Sequence, residues 1–157
     1  MVFELKDFKK KYDSLAGRYK LPDFSKLNGD FEVDKIDKES EYFLRVVRKV
    51  IMEKVVNSLN FLDMLVNPVN APRIYHAYIK GMSVEDRKII DEIYSALGKL
   101  SLESLAMEIG YDEKKEAEFI ADVFKVWGEM KPKFEKVMGN MKKPNANEVK
   151  RERGYFG

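Results

Sequence analysis

One stretch limits what this chain can fold into more than any other. From about Lys38 to Val66, apolar residues recur at helical spacing over roughly eight turns. At about 100° per residue, Leu44, Val47, Ile51, Val55, Leu59, Leu62 and Val66 fall on one continuous stripe. A second stripe, Phe43, Val46 and Val50, then Phe61 and Leu65, lies about 100° round and is interrupted by Lys54 and Asn57. A helix with two apolar faces is either enclosed by neighbours in a bundle or shared with a second subunit. The enclosed central helix is the ordinary outcome.

The rest of the chain supplies such neighbours. Leu5, Phe8, Tyr12, Leu15, Ala16 and Tyr19 give an amphipathic helix over 3–19, with Lys6, Lys9, Lys10, Lys11 and Arg18 on its other face. After Pro22, residues 21–38 have turn residues and no long period, and read as a connector with a short extended piece at Phe31 and Val33. Asn67-Pro68 ends the long helix, because proline disfavours α conformation in the residue before it. Asn70 is placed to cap a helix over 71–80, and Gly81 to close it as a left-handed residue. Ser83, with Asp86 three residues on, starts the next. There Ile90, Ile93, Tyr94, Leu97 and Leu100 keep one phase, whereas Leu102, Leu105 and Ile109 lie about 100° or more round, which predicts a break near Gly98 to Ser101. The last helix starts after Gly110 with Asp112 as its cap. It holds its period from Phe119 to Met141 across Pro132, as a kinked helix does.

The expected fold is therefore all-α, a compact bundle of about five to six helices with a long central helix and a kinked C-terminal one. A single domain over 1–141 would be followed by a basic tail, 142–157, that need not be ordered.

Composition removes whole classes of function. Lys+Arg 29 against Asp+Glu 27 is too balanced for a strongly basic nucleic-acid binder. The chain has no cysteine and a single histidine, so disulfides, thiolate metal sites and a cysteine nucleophile are excluded and zinc has a poor ligand supply. No metal or cofactor is expected. No run approaches the ~20 apolar residues of a membrane span, and the first residues lack the apolar core of a signal peptide, so the expected location is the cytoplasm and the expected partners exclude membranes. Glutamine and threonine are also absent while Lys and Glu are heavily used, a thermophile-like composition, although eight methionines run against it. There is no glycine-rich phosphate loop, no dinucleotide fingerprint, no His-Glu-x-x-His and no Gly-x-Ser-x-Gly elbow. A di-iron bundle needs Glu three residues before each histidine, and here that residue is Arg73.

His76 draws attention as the lone histidine. In a helix over 71–80, Ile74 with Tyr78 and Tyr75 with Ile79 form the buried arc, and His76 points about 130° away from it beside Arg73 and Lys80. Cations disfavour the imidazolium, and no local carboxylate orients the ring, so it is a poor acid or base. What remains is an anion-contact stripe, Arg73, His76 and Lys80, or simply a wet surface.

Residues 100–120, "LSLESLAMEIGYDEKKEAEFI", resemble the helix-turn-helix superfamily: Leu105-Ala106 on a first helix, Gly110 at the turn, Tyr111 after it, then a second helix. The resemblance implies DNA docking by that second helix. The pattern departs from it at Glu116, where the motif expects an apolar residue, and in the acids Asp112, Glu113, Glu118 and Asp122, which phosphates repel.

The expected function is a non-enzymatic helical interaction module, self-associating as a homodimer through Phe43, Val46, Val50 and Phe61 of the long helix and Tyr155 and Phe156 of the tail. The alternative is a nucleic-acid-associated protein using its basic ends or the degenerate helix-turn-helix.

Overall fold

The computed structural model describes residues 2–36 and 41–142, with side chains from Leu5 onward. Among them are six α-helices and no strand: α1 (Val2–Arg18), α2 (Phe24–Phe31), α3 (Phe43–Val66), α4 (His76–Lys80), α5 (Val84–Ala106) and α6 (Glu113–Met141). The chain forms two compact units, Met1–Asn57 with Lys99–Trp127, and Ser58–Gly98 with Gly128–Gly157. α3, α5 and α6 each contribute a part to both.

In the first unit the main stripe of α3 is core: Leu44, Val47, Ile51 and Val55 are fully covered. α1 brings Phe8 and Tyr12 onto it as the period predicts, and ring contacts link Phe8 to Phe24 at 5.7 Å and to Phe43 at 5.0 Å. The Tyr12 hydroxyl donates to the Pro22 carbonyl at 2.7 Å, closing the turn between α1 and α2.

The segment expected to be a connector is instead a two-turn helix. Phe24, Leu27 and Phe31, at i, i+3 and i+7, are all buried. Asp23 caps it, its carboxylate accepting from the Lys26 N–H at 3.3 Å. Glu32, at φ 52°, ends it in the left-handed conformation usually reserved for glycine. Three apolar residues were too few to raise a period above the turn signals around them. Phe31 packs on Trp127 at 5.6 Å, so no extended piece forms there.

In the second unit Leu62, Ile79, Ile90, Ile93, Leu97 and Val137 are buried, and Phe61 meets Phe134 at 6.4 Å. Ser83 caps α5 as expected, accepting from the Asp86 N–H at 3.0 Å. Asp86 is itself buried and accepts from Asn140 Nδ2 at 3.1 Å. Tyr94 donates to Asp63 at 3.0 Å.

The helix expected over 71–80 is shorter. Residues 73–75 form a 3₁₀ turn and α4 begins only at His76, which restarts the helical phase. Ile74 is consequently 73% exposed and Tyr75 38%, while Ala77 and Ile79 take the buried positions. Asn70 ends a preceding 3₁₀ turn and caps nothing, and Gly81 keeps right-handed angles, φ −78° and ψ −4°. α6 begins one residue after Asp112, which caps it by accepting from the Lys115 N–H at 3.2 Å, and runs unbroken through Pro132. Lys38 and the tail from 143, Tyr155 and Phe156 included, lie outside the described residues.

Candidate functional site

The predicted break in α5 does not occur; the helix is continuous from Val84 to Ala106. Its core phase continues from Ile93, Leu97 and Leu100 to Ser104, which is 7% exposed. Leu102 and Leu105 belong to a different face of α5 and Ile109 to the 3₁₀ turn Met107–Ile109 beyond it; they stand 71%, 64% and 91% exposed. What looked like a phase error is a helix with a hydroxyl on its core side and an apolar row on its surface.

The hydroxyl is there because Arg48 is. Arg48 follows Leu44 by four residues and precedes Ile51 by three, so it sits on the buried stripe of α3, and it is 1% exposed. Its five guanidinium hydrogens have five bonds. Nε donates to Glu116 Oε2 at 2.6 Å. Nη1 donates to Ser104 Oγ at 2.5 Å and to the Ser104 carbonyl at 3.2 Å. Nη2 donates to Glu108 Oε1 at 2.9 Å and to Glu116 Oε1 at 3.3 Å. Burial by itself would lower the guanidinium pKa; the bonds and charges of Glu116 and Glu108 outweigh it and hold it above the ordinary value. Desolvation likewise pushes Glu108 up, but the bond and charge of Arg48, helped by Lys49 and Arg45, bring it below the usual carboxylate range.

Arg45, one turn earlier on α3, grips the end of α5. Its Nη2 donates to the carbonyls of Met107, at 3.0 Å, and of Gly110. Its Nε reaches Glu116 Oε1 at 3.4 Å. Carbonyls at a helix C-terminus lack intrahelical partners and carry the negative end of the dipole. A left-handed glycine usually satisfies them. Gly110 is extended here, at φ −148° and ψ 172°, and the arginine does the work instead. Tyr42 and Tyr111, with centroids 4.5 Å apart, hold the guanidinium at 5.7 and 5.3 Å. Tyr19 donates to Glu113 at 2.8 Å, beside the N-terminus of α6.

Residues 104–116 are thus a turn held by two arginines of α3. Beside it lies a cleft of about 420 Å³, walled by Met107, Tyr111, Lys115 and Glu116. Burial, followed by the charges of Glu113 and Glu116, raises the Tyr111 hydroxyl above its usual pKa. Both oxygens of the Glu116 carboxylate accept from guanidinium groups, and its side chain is 1% exposed.

The residues singled out in the sequence fall elsewhere. Arg73 lies in the 3₁₀ turn before α4, while His76 and Lys80 share a face of α4 at i and i+4. His76 Nε2–H donates to the Ala71 carbonyl at 3.2 Å, so the ring serves the turn. Phe43 is 3% exposed, with Phe8 on one side and Lys11 Nζ 4.9 Å from its ring centroid. Val46 and Val50 are half-buried, and half-buried Phe61 has Tyr75 at 6.5 Å. Among the described residues no group of three or more His, Asp or Glu is placed to hold a metal ion. No helix among them is long and apolar enough to cross a membrane.

Sequence reasoning passed over Arg45, Arg48 and Ser104. The available signal was a pair of opposite charges in apolar phase: Arg48 inside the α3 stripe and Glu116 where the helix-turn-helix pattern wants an apolar residue. No family model matches this sequence, and comparison with curated proteins and with solved structures finds no match.

Proposed function

We propose that this chain is a non-enzymatic interaction module that associates with itself. One observation carries the reading: Leu102 and Leu105 stand exposed on the last turns of α5 and Ile109 on the 3₁₀ turn Met107–Ile109 that follows it, next to a turn fixed by Arg45 and Arg48. Exposed apolar side chains scattered singly need no explanation, but three within eight residues at one helix end support a contact surface. The polar groups beside the row are engaged in holding the turn, which supports a binding role over a catalytic one. Glu116, in the place of an apolar residue, holds Arg48, and the exposed acids Asp112, Glu118 and Asp122 lie at the cap and in the first three turns of α6, so the helix-turn-helix resemblance lends little to a nucleic-acid reading.

Sedimentation velocity or light scattering across roughly 5 μM to 1 mM tests it, the range being set by the ~8.2 and ~4.1 kcal/mol that micromolar and millimolar affinities represent. The expected result is a mass that rises toward the dimer with concentration. A constant monomer mass throughout would refute self-association.

A further inference from the structure

The second unit has an exposed apolar surface of its own. Val69 stands 85% exposed on the turn 68–70, and Ile74 73% exposed on the turn 73–75. The backbone beneath them is closed: the Ala71 N–H donates to the Pro68 carbonyl and the Tyr75 N–H to the Pro72 carbonyl, both at 3.0 Å, and the His76 ring ties in the Ala71 carbonyl. Two fixed turns thus present apolar side chains outward. Independently of the self-association above, we propose that residues 143–157 of the same chain fold back over this surface as a strap, with Tyr155 and Phe156 seated on Val69 and Ile74.

The first reason is where α6 delivers the segment. Asn140 Nδ2 donates to the Asp86 carboxylate at 3.1 Å, so the chain leaves α6 beside the first turn of α5. The next residue, Arg87, donates to the Ile79 carbonyl at 3.0 Å. Ile74 lies five residues before Ile79, roughly 8–10 Å along the axis at 1.5–2.0 Å per residue. The second reason is reach. Tyr155 is thirteen residues beyond Lys142, and a flexible chain of that length has an end-to-end distance of about 20 Å, which suits this span. The third is composition: Val149, Tyr155 and Phe156 are the large apolar residues of the segment, and aromatic rings bury much surface. Tethering then favours this occupant over any separate one. A linker matched to its span gives an effective concentration of about 1 mM. An intrinsic affinity of only about 1 mM therefore keeps the surface covered half the time, whereas a second copy at ~10 μM is present at a hundredth of that concentration.

The chain has no cysteine, so an introduced pair reports the contact directly. Asn70→Cys lies between Val69 and Ile74, and Gly157→Cys follows Phe156, so all four apolar side chains stay in place. Oxidised at about 2 μM, the Asn70→Cys/Gly157→Cys chain should close an intramolecular disulfide at least about fivefold faster than Ser95→Cys/Gly157→Cys. Ser95 is exposed on α5, nine residues or about 13 Å from Asp86, so a segment that docks nowhere reaches both positions alike. Adding Val69→Asp/Ile74→Asp should remove the advantage and leave the helical circular dichroism unchanged, since both sites are exposed. Equal rates for the two pairs would overturn the docking. An advantage that survives the aspartates would overturn its apolar basis, and disulfide-linked dimers in place of the intramolecular form would overturn it in favour of a second copy.

Discussion

Glu116→Gln keeps the shape of the buried side chain and removes its charge. Arg48 would keep Ser104 and Glu108, but Nε and one Nη2 hydrogen would face an amide that offers one acceptor and two donors where two acceptors stood. Both partners are 1% exposed, so water cannot take up the loss. Breaking a buried pair from one side costs about 3–5 kcal/mol, which at about 2–4 °C per kcal/mol for a chain of this size is a fall of roughly 6–20 °C in Tm. Urea unfolding followed through Trp127 measures it well, since it is the only tryptophan and is buried in the same unit against Phe31. Arg48→Met should cost a similar amount, leaving Glu116 with Arg45 Nε at 3.4 Å. The double variant Arg48→Met/Glu116→Leu removes both charges and should lie within about 2 kcal/mol of wild type, giving a coupling of several kcal/mol. A Glu116→Gln chain within ~0.5 kcal/mol of wild type, or a double variant whose cost equals the sum of the singles, would show that the pair is not the brace of the turn.

Two further substitutions test other parts of the fold. Tyr12→Phe should cost about 1 kcal/mol near pH 8, the worth of the hydroxyl bond to Pro22. Burial first, then the charges of Asp13 and Asp23, raise the Tyr12 pKa well above its ordinary 10.0, so its contribution is complete below that value and is lost as the pH rises beyond it. The gap between wild type and Tyr12→Phe in urea midpoints should therefore narrow above about pH 10.5, and a constant gap would contradict the burial. Gly98→Ala should raise stability by about 0.5–1 kcal/mol, because a methyl group there meets nothing within 4 Å and α5 is continuous through it. Thermal unfolding by circular dichroism would register the gain, and a loss would mean that the helix does break at this glycine.

Where a long run of apolar residues defines an element, the sequence reads correctly. α1, the core stripe of α3, the Ser83 cap and the passage of α6 through Pro132 all follow from spacing and local caps. The misreadings have two causes. In α2 the helical period rests on three residues only, and at residues 73–75 a 3₁₀ turn resets the phase that the apolar pattern carries. At the α5–α6 turn, Glu116 reads only as a departure from the helix-turn-helix pattern, since the arginines that pair with it, Arg45 and Arg48, lie 71 and 68 residues away. That second cause also accounts for the false break. Arg48 donates to both the hydroxyl and the carbonyl of Ser104, so the core side of α5 ends in a polar residue and the apolar phase visibly shifts. The shift leaves Leu102, Leu105 and Ile109 with no part in the packing that Arg48 and Ser104 complete. Exposure at 64–91% leaves them at most about a third of the roughly 1.5–3 kcal/mol that burying such a side chain returns. Among the described residues neither the core nor the turn requires them, and it is on these three side chains that the proposed self-association rests.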